Sequence, residues 1–150
     1  MRFGFKVPHQ STTWSSVAEV WKAGDELEIF ESAWTYDHLV ALRAVAGGID
    51  IDPQAPMLDG WALLPALAAV TSRLRIGNLV TCVPLRHPVV LAKLATTVDE
   101  ISGGRLEFGL GAGWMESAAA MVEPTRLHDG KISEGEVFLQ ETKALLDALG

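Results

Sequence analysis

The stretch Ile101-Ser-Gly-Gly-Arg-Leu-Glu-Phe-Gly-Leu-Gly-Ala-Gly-Trp114 decides how this chain is read. A periodic apolar run ends at Ile101, and Gly103-Gly104 supply the turn that stops a helix there. A short apolar strand follows and opens into alternating glycines, Gly109, Gly111 and Gly113, closed by Trp114. Backbone without side chains at the carboxyl end of a strand lets a flat ligand or a phosphate come close. This stretch is therefore one joint of a helix–strand–loop alternation.

The same joint recurs upstream. Arg2 to Val7 alternates, with Phe3, Phe5 and Val7 as its bulky positions, and Pro8 ends this first strand. Trp14 to Phe30 carries Val17, Val20, Trp21, Leu27 and Phe30 at helical spacing, with Ser15 or Ser16 expected as the N-cap. Glu31 to Tyr36 is a second strand running into Asp37-His38. Residues 43–59, with Gly47-Gly48, Pro53 and Pro56, predict a loop. Asp59 then caps an apolar helix to about Thr71, and Leu74 to Thr81 is the third strand. Pro88 suits the first position of a helix to about Ile101, with Val89, Ala92, Leu94, Ala95, Val98 and Ile101 as its buried face. Arg105 to Leu110 is the fourth strand, residues 117–130 are irregular, and Ile132 to Leu149 reads as a last helix. Trp14, Trp21 and Trp61 are expected in the core or between helices.

Strict alternation of strand and helix predicts an α/β fold with a parallel sheet covered by helices. Two architectures meet that description, an open doubly wound sheet and part of a (β/α)8 barrel of TIM type. A whole barrel takes about 250 residues, so these 150 residues hold about four βα units, half a barrel, as one domain.

Composition narrows the partners. A formal charge of −7, with 12 scattered Lys and Arg, opposes a nucleic-acid partner, because phosphate neutralisation needs clustered basic residues. No apolar run reaches the roughly 18 residues of a membrane span, and the amino terminus is too short and polar for a signal peptide. A single cysteine, Cys82, excludes an internal disulfide framework and suits a reducing compartment, so a cytoplasmic protein is expected. His38, His87, His128 and Cys82 lack metal-ligand spacing, and no metal is expected.

Four segments, taken together, resemble the luciferase-like family of flavin oxidoreductases in order and spacing. They are Trp34-Thr-Tyr-Asp37-His38; Ala69 to Gly77; Val80-Thr-Cys-Val-Pro-Leu-Arg86-His87-Pro88 with Leu91-Ala-Lys93 and Asp99; and Ser102 to Trp114. The resemblance covers about residues 2–116. It implies a (β/α)8 barrel that binds FMN or the deazaflavin coenzyme F-420 at the carboxyl ends of its strands and acts on a small-molecule substrate. Such enzymes transfer hydride to or from the cofactor, or use reduced flavin and O2 to oxygenate.

Carried over residue by residue, the resemblance makes His38 the catalytic acid or base. An imidazole with an ordinary pKa of about 6.5 suits that work. Asp37, Leu79, Val80, Thr81, Gly111, Ala112, Gly113 and Trp114 become the residues expected to hold the cofactor. Leu79-Val80 matches the place where relatives carry a non-prolyl cis peptide beneath the flavin ring. Two positions depart from the family: its second acid is a carboxylate where this chain has Trp114, and its aromatic residue four after the histidine is Leu42 here. A dinucleotide fingerprint starting at Gly109 would need glycine at its sixth position, which is Trp114.

Other residues have plainer readings. Arg86-His87-Pro88 is expected to serve architecture, Arg105 to pair with Glu107, and Cys82 to be a small buried side chain. Half a barrel leaves two sheet edges unpaired, and the apolar helix around Trp61 to Val70 would then seek a partner. A homodimer, or a missing carboxyl-terminal half, is the expected partner. The alternative to an enzyme is a non-catalytic half-barrel remnant or interaction module without cofactor.

Overall fold

A computed structural model of the chain describes residues 2–45, 48–52 and 55–113. Trp114, residues 117–130 and the helix predicted for Ile132 to Leu149 lie outside the described residues. The elements in chain order are β1 (Phe3–Lys6), α1 (Trp14–Glu26), β2 (Phe30–Thr35), β3 (Ala41–Val45), β4 (Gly48–Asp52), α2 (Gly60–Val70), β5 (Arg75–Cys82), α3 (Pro88–Ser102) and β6 (Leu106–Gly111). The strands β1-β2-β5-β6 pair in parallel and in chain order. A doubly wound sheet reverses its order at a switch point. None of the described strands does so, and their succession is that of a barrel wall.

The core forms where helix stripes meet the sheet. In α1 the buried residues are Val17, Ala18, Trp21 and Gly24. Gly24 is required there because the Phe5 ring fills the space of a Cβ. The Phe5 ring meets Phe30 edge-on with centroids 5.0 Å apart. In α2, Leu63, Leu64, Leu67 and Ala68 are buried. That face is covered within the chain, where α2 packs on α3 and the sheet.

Several boundaries differ from the sequence reading. The α1 cap is Thr13, not Ser15 or Ser16: the Ser16 amide donates to Thr13 Oγ1 at 3.2 Å. The helix stops at Glu26, since Leu27 turns back to Gly24 and Phe30 enters β2. Trp14, in the first turn, is 40% exposed, not core. On α3 the buried residues are Pro88, Leu91, Ala95, Val98 and Ser102, while Val89, Leu94 and Ile101 face outward. Periodicity named several apolar residues on both flanks of that stripe, and packing chose one register of it.

The expected loop over residues 43–59 contains an antiparallel hairpin, β3 with β4, running from Ala41↔Asp52 to Val45↔Gly48. Gly48 adopts a positive φ of 149° where the chain returns, which glycine tolerates. The hairpin is anchored by Gln10, whose side-chain amide donates to the Leu42 carbonyl at 2.7 Å and accepts from its amide at 3.1 Å.

Arg105 does not pair with Glu107. Its guanidinium donates to the carbonyls of Ala68 (2.8 Å), Thr71 (3.0 Å) and Leu74 (2.9 Å). Carbonyls at a helix end lack intrahelical partners, and this arginine answers those of α2. Glu107 instead forms an ion pair with Arg75 on the neighbouring strand.

Candidate functional site

The carboxyl ends of all four parallel strands come to one edge, which is where barrel sites are built. β2 delivers Tyr36-Asp37-His38 there. Asp37 is buried, and its Oδ2 accepts from Arg86 Nη1 at 2.6 Å and from the Cys82 amide at 3.0 Å. Arg86 reaches on to Asp59 at 3.2 Å with Nη2. Asp59 is also the N-cap of α2, accepting from the Ala62 amide at 2.7 Å. One guanidinium thus joins the end of β2 to the start of α2, and Asp37 joins both to the end of β5. Arg86 is architectural, as expected, and it also neutralises the buried carboxylate.

His38 is half-buried, with its ring 4.9 Å from that of Tyr36. Burial, seconded by the charge of Lys6, lowers its pKa below the usual 6.5, against an opposing pull from Asp37. The shift favours the uncharged ring near neutral pH. Lys6 itself sits 5.5 Å over the Tyr36 ring.

β5 supplies Leu79, Val80 and Thr81. The Leu79–Val80 peptide is cis, as the resemblance implied. Both side chains stand in the open, 50% and 41% exposed, although they are apolar and lie on a strand. Thr35 pairs with Asn78, the last pairing of β2 with β5; beyond it β2 ends while β5 continues beside β6 to Cys82. Thr81 is buried instead, and its hydroxyl has no hydrogen-bond partner among the described residues; the same is true of Asn78 Nδ2 and Asp37 Oδ1.

The glycines of β6 have a specific neighbour. A Cβ on Gly111 would run into Val80 Cγ2, and one on Gly109 would lie 3.2 Å from Val80 Cγ1. Their bare backbone makes room for Val80. Ala112 and Gly113 are exposed at the same edge, and Gly113 has a φ of 77°. Cys82 is half-buried, and burial together with Asp37 raises its thiol pKa, so it stays protonated. Among the described residues no three His, Cys, Asp or Glu side chains group as a metal site.

Sequence reading passed over His9, which is fully buried beside this edge. Nδ1 lies 2.6 Å from the Leu58 carbonyl, and Nε2 lies 2.9 Å from the Tyr36 carbonyl and 3.3 Å from its amide. Its place just after β1 was the available signal, the same one that singled out His38 after β2. Asn78 was missed as well; its Oδ1 accepts from Thr35 Oγ1 beneath the start of α2.

With this geometry in hand, comparison with known proteins is informative. The family model of luciferase-like monooxygenases matches residues 1–127. An uncharacterized protein of Mycobacterium tuberculosis is 47% identical over 58 residues, 38% of this chain and 20% of its own length. The pyrimidine monooxygenase RutA of a Bradyrhizobium species is 40% identical over 60 residues, 40% of this chain and 16% of its own.

Among solved structures, the coenzyme F-420-dependent tetrahydromethanopterin reductase of Methanopyrus kandleri is similar with a TM-score of 0.62 and 25% identity, over 80% of this chain and 29% of that one. The oxygenating constituent of 3,6-diketocamphane monooxygenase of Pseudomonas putida, a type II Baeyer–Villiger enzyme in complex with FMN, gives 0.68 and 18% identity, over 99% and 38%. The segments matched in the two named relatives span a fifth or less of their length. Among the described residues no helix is long and apolar enough to cross a membrane.

Proposed function

The chain belongs to the luciferase-like monooxygenase family, and from that premise we propose that it serves a flavin- or deazaflavin-dependent oxidoreductase, with His38 as the side chain that carries the proton. One observation carries the reading: an exposed apolar pair within β5, Leu79 and Val80, and a half-buried histidine just past the end of the adjacent β2 lie toward the carboxyl edge of the sheet. Large apolar side chains in the open at such an edge suit the face of a flat aromatic ring.

The residues fit FMN or coenzyme F-420. Leu79 and Val80 would bear the ring, with Gly109 and Gly111 supporting Val80 from behind. Ala112 and Gly113 would offer exposed backbone beside it. Asp37 and Thr81 lie beneath this layer and would support it without direct contact, Asp37 through Arg86 and the Cys82 amide. Bound there, the cofactor would supply hydride transfer, or oxygenation with O2. His38 would accept a proton from a small-molecule substrate as it is oxidised, since burial keeps the imidazole neutral near pH 7.

The test is a fluorescence titration of the chain with FMN and with coenzyme F-420, followed by turnover of His38→Ala. Saturable micromolar binding is expected. Losing a general acid or base costs about 10²–10⁴-fold in turnover, with cofactor affinity little changed. A folded chain that binds neither cofactor refutes the reading and leaves an interaction module. The proposal extends to a partner, a second copy or a further half barrel, along β1 and β6, the edges of the described sheet. Sedimentation equilibrium measures it.

A further inference from the structure

We infer that His9 is a positioning residue for His38; the inference rests on the reading of His38 as the proton carrier. His9 stacks on the Tyr36 ring with centroids 4.0 Å apart, and the ring of His38 meets that same ring at 4.9 Å. Its two nitrogens meet two different segments. A charged ring donates to both the Leu58 and the Tyr36 carbonyls, whereas a neutral ring with its proton on Nδ1 donates to Leu58 alone and accepts the Tyr36 amide proton at Nε2. Burial favours this neutral form.

The arrangement is matched one residue further on. His9 ties residue 36 to residue 58, and Arg86 ties Asp37 to Asp59. Two clasps thus fix consecutive residues at the end of β2 to consecutive residues at the start of α2. His38 is the next residue along. Gly60 completes the fit, since a Cβ there would strike the Tyr36 carbonyl that His9 meets. An aromatic ring of the same size without nitrogens would fill the space but leave the Tyr36 amide and the Leu58 carbonyl without these partners, and buried backbone groups seek partners elsewhere. The end of β2 would then shift towards water and take His38 with it.

The groups that set the titration of His38 are Lys6, Asp37 and His9, together with burial. The experiment is a histidine side-chain NMR titration of the full chain, without cofactor, for wild type, His9→Phe, His9→Asn and His9→Gln. In His9→Phe the His38 midpoint should rise towards the ordinary 6.5. In His9→Gln, whose amide can both donate and accept across the gap, it should return close to wild type. His9→Asn, too short for both bonds, should fall between them.

None of the variants carries the His9 charge, so a purely electrostatic role would move all three equally. An equal rise, or no change in any, overturns the inference. If His9→Phe does not fold, the order of His9→Gln and His9→Asn still decides, equal midpoints refuting it. Turnover gives the second reading: misplacing a catalytic group by about 1 Å costs on the order of 10²-fold, so kcat should fall in His9→Phe and recover in His9→Gln, with KM little changed. The titration needs neither cofactor nor turnover. A chain that shows the series but binds no flavin or deazaflavin therefore refutes the oxidoreductase reading alone.

Discussion

Replacing Arg86 by Met tests the clasp at its most costly point. The Asp37 side chain is 0% exposed and that of Arg86 14%, with 2.6 Å between nitrogen and oxygen. Removing one partner of a buried pair strands the other charge, at about 3–5 kcal/mol. The Cys82 amide still donates to Asp37, so the low end, about 3 kcal/mol, is expected. At a urea slope of about 1–3 kcal/mol per molar, the unfolding midpoint should drop by about 1–3 M. Asp37→Asn should cost less, about 1–2 kcal/mol, because Arg86 keeps Asp59 and can reach water. The double variant Asp37→Asn/Arg86→Met should be more stable than the sum of the single effects requires, with coupling of about 1–3 kcal/mol. Urea melts at neutral pH read all of this. A cost for Arg86→Met below about 1 kcal/mol, the range of exposed pairs, or strict additivity in the cycle, refutes the reasoning.

Two further outcomes are expected. Burial alone would raise the Asp25 carboxyl, but the amides of Leu74, Ser72 and Arg73 and the Ser72 hydroxyl outweigh it and hold the group below its usual 3.8. A carboxyl lowered by folding adds stability above pH 3.8 that is lost as pH falls through the folded value. Asp25→Ala should therefore cost about 1–2 kcal/mol at pH 7, as lost caps do, and much less in strong acid; an equal cost at both in urea melts would contradict this. Gly111→Ala should cost about 1–3 kcal/mol by overpacking against Val80 and weaken flavin binding. Gly103→Ala, with a φ of 69° and open space around its Cβ position, should lose about 1 kcal/mol from backbone strain and leave binding untouched. Thermal melts and cofactor titrations of the pair measure both effects.

What was legible in the sequence depended on the range of the interaction. Pro88 at the start of α3, Asp59 as the cap of α2 and Gly103-Gly104 after α3 are local signals, and each lies where its chemistry requires. The hairpin β3–β4 was obscured because Gly47, Gly48, Pro53 and Pro56 look like loop punctuation, whereas the residues of Ala41–Val45 and Gly48–Asp52 needed each other to become strands. The position of the candidate site's outer residues was readable: the half-buried His38 and the exposed Leu79 and Val80 lie toward the carboxyl edge. Its buried part was not. The partners of Asp37 come from positions 82 and 86, and those of His9 from 36 and 58, with separations of 27 to 49 residues that no local pattern encodes. His9 carried a positional signal all the same, following β1 as His38 follows β2.

The two ends of the sheet solve different problems. At the end where the strands begin, Arg73 donates to the carbonyls of Gly24, Asp25, Leu27 and Phe30, and Arg105 to those of Ala68, Thr71, Leu74 and Ser102. Each arginine sits just before a strand, and each reads the end of the helix one unit back: Arg73 before β5 reads α1, and Arg105 before β6 reads α2. Carbonyls left open by a helix end are cheap to satisfy with a long cation at a wet rim, so this device can repeat from unit to unit. At the opposite end the ties are a buried ion pair and a buried imidazole, both costly to desolvate. Neither repeats among the described residues, and they join residues 36 and 37 to residues 58 and 59 at the start of α2. Stability alone would favour the cheaper device at both ends. The costly one stands beside the half-buried His38, the side chain proposed to carry the proton.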